Sequence, residues 1–374
     1  MSLVDDERAY ALCGSAVARE WHNFGSAIVI LGDAGTLIVV EAGDALDRSC
    51  VWNAGEVRLV GPAPTPVRKR LMDEPWERGI EDRKVPVHLM VRNSEGLVYL
   101  GTGTVTRAST VLRSDSGEHV LTGCALRLAS PLSRPDLERV RPCLPPTGLP
   151  TLDWLGHVND DRVSALEQFI TSWYPAVGET AERPPVQALP LDLPEGLGHF
   201  YRLAQHRPRC LGVQNRVHPL SKRRTDPTGE MLVFGEENQG GFFWSLLWTL
   251  DGPEADPTVW FREYDEPPIA EQEPLSGFLI QFSLFEASMG AEYVALCDEV
   301  TEEQLNRLTE GLLPVPLRPF CTAFPTRFYV APGLVLHVSD QGGGAGFSVW
   351  AGATHRTALA PLGDTPLKWI CFDG

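Results

Sequence analysis

Two adjacent carboxylates, Glu236 and Glu237, stand in LVFGEENQGGFFWSLLW, between an apolar run and a burst of aromatics. Paired acids can divide general-acid and general-base work when one pKa is raised and the two face each other across a cleft. Neighbouring residues of a strand point to opposite faces, so this pair is poorly placed for that chemistry. The stretch reads instead as strand, turn, strand. Gly240 and Gly241 supply the left-handed turn conformations, and one carboxylate is expected to accept hydrogen bonds from turn amides. The chain has no G-x-S-x-G elbow, no H-E-x-x-H and no protein-kinase signature. DQGGGAGFS, at 340–348, lacks the Gly-Lys-Ser/Thr ending of a phosphate loop and reads as a hairpin turn. The nine histidines are dispersed, and the eight cysteines form no C-x-x-C pair. No catalytic residue, metal site, cofactor or disulfide framework is therefore expected, and the thiols read as small buried apolar groups.

The elements that would carry these residues fall into two parts. At 374 residues the chain is long enough for two ordinary domains. Residues 1–140 read as a β-rich domain of unassigned role, barrel- or sandwich-like. It opens with a helix over 6–21, on which Tyr10, Cys13, Val17 and Trp21 recur at helical spacing. Apolar runs such as AIVILG and TLIVVEA follow, and GDAG and NSEG are hairpin turn signals. The Pro- and Gly-rich run at 141–158 reads as a linker. Residues 159–374 read as an α+β domain, with helices predicted from Asn159 to Pro175, over 195–206 and over 275–289. On the last of these, Phe278, Leu279, Phe282, Phe285 and Met289 face inward. Thr301 to Gln304 is a capping box, and the tail is strands to the end of RTALAPL.

Charge narrows the function further. The formal net charge is −17, which disfavours nucleic acid as a partner. Within 225–310 there are 19 acids against only Arg262 and Arg307. Basic residues gather upstream instead, at Arg202, Arg207, Arg209, Arg216 and Lys222-Arg223-Arg224. The loops DGPEADPT and EYDEPPIAEQEP are too polar and Pro-rich to be core, so the acidic segment is expected to be a solvated docking surface. On it, Asp256, Glu263, Asp265 and Glu266 would steer a cationic partner, and Trp248, Phe261 and Tyr264 would anchor it. No segment approaches the roughly 18 apolar residues of a membrane helix. The start, MSLVDDERAYAL, is acidic and lacks an apolar stretch, so a cytoplasmic location is expected.

LPEGLGHFYRLAQHRP, VQNRVHPL, GEMLVFGEENQGGFFW, DPTVWFR and EPLSGFLIQFSLFEA, in that order, resemble the SUKH superfamily, which includes many bacterial immunity proteins. The likeness covers roughly 161–290 and, more loosely, the β tail to 362. Glu237, Asn238, Gln239 and Gly240 match its polar turn, and Trp244 and Trp260 match its recurrent aromatics. The resemblance implies a mixed sheet with packed helices that works by binding, without catalysis. Its partner would be a cognate protein toxin, a basic nuclease, neutralised by occlusion of the active cleft. A regulatory adaptor for another protein, and a hydrolase with unidentified catalytic acids, are the alternative readings. KVPVHLMVRNSEGLVYLGTGTVT has a faint likeness to PUA-like barrels, but 1–158 has no basic excess to support nucleic-acid reading.

Overall fold

The computed structural model describes residues 3–42, 50–72, 85–112, 119–142, 145–176, 193–220, 224–225, 231–247, 254–263, 266–321, 324–342 and 346–374. The chain is α+β and divides into two compact units, residues 1–145 with Asp373, and residues 146–372 with Gly374. No described helix is long and apolar enough to cross a membrane.

The first unit is built on one mixed sheet of nine strands. They are β1 (Leu3–Val4), β2 (Glu20–Phe24), β3 (Ala27–Leu31), β4 (Thr36–Glu41), β5 (Cys50–Trp52), β6 (Glu56–Val60), β7 (Val87–Asn93), β8 (Gly96–Leu112) and β9 (His119–Leu128). The path runs β2-β3-β4-β7-β8-β9-β6-β5, with β1 on β8, and β4 and β7 lie parallel. Among the described residues the path runs from β2 to β5 as one curled mixed sheet, in keeping with the β-rich first domain expected. The uninterrupted apolar runs have a simple cause: both faces of these strands are covered. Val29, Leu31, Ile38 and Val40 enter one core, with α2 (Thr65–Leu71) and α3 (Arg134–Val140) supplying Val67, Leu71, Leu137 and Val140. The alternate residues Ile30, Leu37 and Val39 enter a second core with Ala9, which lies on α1 (Asp6–Ala11), and with Cys13. Both hairpins form where the turn signals stand, at 32–35 and 94–95.

The opening helix is shorter than its spacing predicts. It stops at Ala11, and Gly14 adopts φ +91°, a left-handed conformation that ends the helical run. Trp21 therefore lies on β2, opposite Ile30, and Val17 is almost fully exposed. Four residues in helical register did not outweigh one glycine. In the charged stretch KRLMDEPWERGIEDRK, residues 69–84, the first residues complete α2, and 73–84 lie outside the described residues.

The second unit holds two six-stranded sheets. One contains β10 (Asn215–Val217), β11 (Arg224–Thr225), β12 (Met231–Glu237), β13 (Phe242–Leu247), β14 (Thr258–Glu263) and β15 (Ile269–Pro274), in the order β10-β12-β13-β14-β15 with β11 also on β12. The other contains β16 (Tyr293–Val300), β17 (Leu313–Pro314), β18 (Thr326–Ala331), β19 (Leu334–Asp340), β20 (Phe347–Ala353) and β21 (Cys371–Phe372), in the order β17-β18-β19-β20-β16-β21. The helices are α4 (Arg162–Trp173), α5 (Glu195–His206), α6 (Leu275–Met289), α7 (Glu302–Thr309) and α8 (Arg356–Leu359). The N-cap of α4 is Asp161, whose side chain accepts from the Ser164 amide, two residues past the predicted cap. Thr301 and Gln304 form the capping box. RTALAPL, predicted as strand, turns helical at α8.

Helix α6 is the centre of the unit. Twelve of its fifteen residues are buried, so it is enclosed around its circumference rather than on one face. It packs on α4, α5 and the inner faces of both sheets. Gly352 on β20 allows one of these approaches, because a Cβ there would lie 2.3 Å from the Ser288 carbonyl oxygen. Trp154 and Val158, from the stretch read as a linker, are buried in the same core. A fragment of residues 146–374 is accordingly expected to melt cooperatively. Residues 159–374 alone should melt several degrees lower, since losing a core Trp costs about 3–5 kcal/mol. Equal midpoints in a paired calorimetry scan would show that 146–158 adds nothing to this core.

Candidate functional site

The two carboxylates of the opening hairpin have different surroundings. Glu237 folds back over the turn, and its Oε2 accepts from the Gln239 amide at 2.8 Å and the Gly241 amide at 3.2 Å. Glu236 lies on the other face, with Arg224 Nη2 at 3.1 Å and His218 Nε2 at 3.6 Å. The pair does not share a cleft.

A loop steadies the hairpin tip. Asn238 donates its amide to the Gln214 carbonyl at 3.1 Å, and Gln214 Nε2 donates to Glu237 Oε1 at 3.4 Å. That loop is held in turn from the core by Glu286 on α6. Its carboxylate accepts from the amides of Val213 at 2.6 Å, Gln214 at 2.8 Å and Asn215 at 2.8 Å. Glu286 is 1% exposed, and burial raises its pKa despite the three hydrogen bonds that pull it down. A lone acid in the apolar run FSLFEAS was the only sequence signal of this role.

Two further acids of the segment read as solvated are buried. EYDEPPIAEQEP was expected to be exposed loop, yet its second half is β15, and Glu271 and Glu273 are each 6% exposed. Glu271 accepts from Trp244 Nε1 at 2.9 Å. Glu273 accepts from Arg162 Nη2 at 2.8 Å and from the Arg318 amide at 3.0 Å. Donors arriving from distant elements make this burial tolerable.

The residues expected to dock a partner separate accordingly. Phe261 points inward and is 2% exposed, packed 4.8 Å from the ring of Phe242, so it is a core residue and no anchor. Asp256 is exposed but accepts from the amide and hydroxyl of Ser276, at 2.8 and 2.7 Å, and so fastens the start of α6. Trp248, Tyr264 and Asp265 lie outside the described residues. Glu263 and Glu266 are exposed, and register places Glu263 beside Phe242, the first residue after the hairpin turn. One end of the sheet therefore gathers Glu263, Glu266, the Glu237–Gly240 turn and exposed Ile269, which pairs with Phe261. Of the two tryptophans, Trp244 is in the core and Trp260 is half-buried on the opposite face.

One contact looks like a nucleophile with its base. Ser288 Oγ lies 2.8 Å from His337 Nδ1, but also 2.8 Å from the Phe285 carbonyl, to which it donates. Both contacts are satisfied when Nδ1 carries the proton and donates to the hydroxyl, the reverse of base catalysis. Both residues are buried, His337 stacks between Phe285 and Trp350, and desolvation pushes its pKa down to about 3. This is a neutral packing histidine. Among the described residues no three His, Cys, Asp or Glu side chains converge to hold a metal ion. Cys13, Cys124, Cys210, Cys297, Cys321 and Cys371 are buried, and burial pushes Cys124 and Cys210 up to about 12. Compared with known proteins, the chain matches no family model, no curated protein and no solved structure.

Proposed function

We propose that the second unit is a non-catalytic, SUKH-type binding module, an immunity protein that occludes the active cleft of a cognate nuclease-type toxin in the cytoplasm. The observation that carries this reading is the gathering of the polar hairpin tip, Glu263, Glu266 and Ile269 at one end of a sheet. Asn238 and Gln239 offer donors and acceptors on a tip anchored to the core, Ile269 offers apolar contact, and the carboxylates offer charge. A nuclease is basic where it grips phosphates, so such a surface would steer its approach. Single exposed pairs contribute only about 0–1 kcal/mol, so the charges act mainly on the association rate.

The test reverses Glu263 and Glu266 to Lys together and measures association with the toxin encoded beside this chain across a salt series. Asp256 is left intact, because it fastens α6. The on-rate at low salt is expected to fall by about tenfold or more, with a flatter salt dependence. An unchanged on-rate would place the binding surface elsewhere.

A further inference from the structure

The distal part of β8 runs out beyond the body of its sheet. β7 pairs with β8 only as far as Gly103, whereas β9 follows it to Leu112. Among the described residues, therefore, no strand pairs with the other side of 104–112. Every residue from Thr106 to Leu112 is exposed, so both faces of this arm meet solvent. The opposite edge of the ribbon is covered. Gly61 and Ala63 donate their amides to the carbonyls of Thr122 and Leu121 on β9, at 2.9 and 2.8 Å.

The hydrogen bonds fix which backbone groups face outward. Residues opposite each other in an antiparallel ladder either exchange hydrogen bonds or both point away from the shared seam. Leu121 directs its carbonyl to Ala63, so Thr110, which it opposes, directs its own amide and carbonyl away from β9. Ser109 faces β9, since its carbonyl accepts from the Thr122 hydroxyl at 3.2 Å. Alternation then turns Ala108 and Leu112 outward with Thr110. Thr106 is the extra residue of a bulge between Val105 and Arg107, which ends the regular stretch on that side.

We propose that this edge pairs with the same edge of a second copy of the chain, antiparallel and in register about Thr110. That register sets Thr110 against Thr110 on a two-fold axis and Ala108 against Leu112 on either side, so every outward amide and carbonyl finds a partner. Ser109 meets Val111 between them, and no charged side chain lies within the paired stretch, ASTVL. Val111 and Leu112, each 57% exposed, gain cross-strand contacts. Charge favours meeting here: β8 holds no acid and one base, Arg107, in a chain of net charge −17. Bare edges are usually blocked by lysine, proline or an inward charge, and 108–112 carries none of them. A third strand also supports a ribbon that, as two strands, would be marginal. The proposal concerns the first unit and does not rest on the toxin-binding reading of the second.

Sedimentation equilibrium of the full chain, from about 5 to about 500 µM, tests it. A reversible dimer with a Kd on the order of 100 µM is expected, because so short a pairing buries less than the roughly 1,200 Å² of a standard interface. Amide exchange followed by NMR should slow with concentration at Ala108, Thr110 and Leu112, and stay unchanged at Ser109 and Val111. Thr110→Pro removes the donor on the axis without touching the β8–β9 ladder, so it should abolish the dimer with an unchanged melting temperature. Thr110→Lys, at the same exposed position, opposes two ammonium groups and should weaken the dimer by about tenfold or more. A monomer at every concentration, a dimer that persists undiminished in both variants, or amides at 108, 110 and 112 already protected in the monomer would each overturn the proposal.

Discussion

Replacing Trp244 by Ala is expected to cost about 3–5 kcal/mol of stability, the usual price of removing a fully enclosed aromatic. Trp244 is 1% exposed and touches four rings, Phe242 at 5.0 Å, Phe278 at 5.3 Å, Phe320 at 6.0 Å and Phe282 at 6.2 Å between centroids. Those rings come from β13, from α6 and from the segment before β18, so the cavity would open where both sheets meet the central helix. Its indole N–H also donates to Glu271, a carboxylate 6% exposed. Trp244→Phe keeps most of the apolar volume but withdraws that donor, so it should cost less, about 1–3 kcal/mol. Urea unfolding followed by circular dichroism gives both values. A Trp244→Ala midpoint equal to that of the parent chain would contradict the packing of the unit around α6.

Glu286→Ala is the second change with a large expected effect. It withdraws the acceptor of three backbone amides at once, those of Val213, Gln214 and Asn215. Each buried donor left unmade costs roughly 1–3 kcal/mol, and water can reach part of this loop, so a total of about 2–4 kcal/mol is expected. Because the same loop braces the hairpin tip, amide exchange at 213–215 and 237–241 should accelerate together. Glu286→Gln adds a test of pH. The pKa of Glu286 is raised by burial, so the native state holds its proton more tightly than the unfolded chain does. Its stabilising contribution is complete below the ordinary carboxyl pKa and is lost as pH rises through the raised native value. The parent chain should therefore lose ground relative to Glu286→Gln as pH rises from the ordinary carboxyl range through the raised native value. A stability difference that grows in favour of the parent over this range would mean that the three amides outweigh desolvation.

Local chemistry wrote much of the fold into the sequence. Helices α5 and α6 span 195–206 and 275–289 as predicted, because a proline opens each and the apolar residues recur at helical spacing. The hairpins at GDAG and NSEG and the capping box at Thr301 form for the same reason: each depends on residues at most a few positions apart. Where a local signal was misread, a competing local signal explains it, as Gly14 does for the opening helix. Tertiary structure alone decided the fate of the charges and aromatics. Glu271 and Glu273 lie in a stretch too polar to read as core, and they are buried because Trp244, Arg162 and Arg318 reach them from 27, 111 and 45 residues away. Phe261 turns inward and Trp260 outward because of the register of β13 on β14, and a shift of one residue would exchange them. The row of Arg216, Glu236, Phe243 and Arg262 exists only once four strands have paired. A periodicity or a cap is complete within one turn of chain, whereas the surroundings of a buried carboxylate or an exposed aromatic are supplied by partners that meet it only on folding.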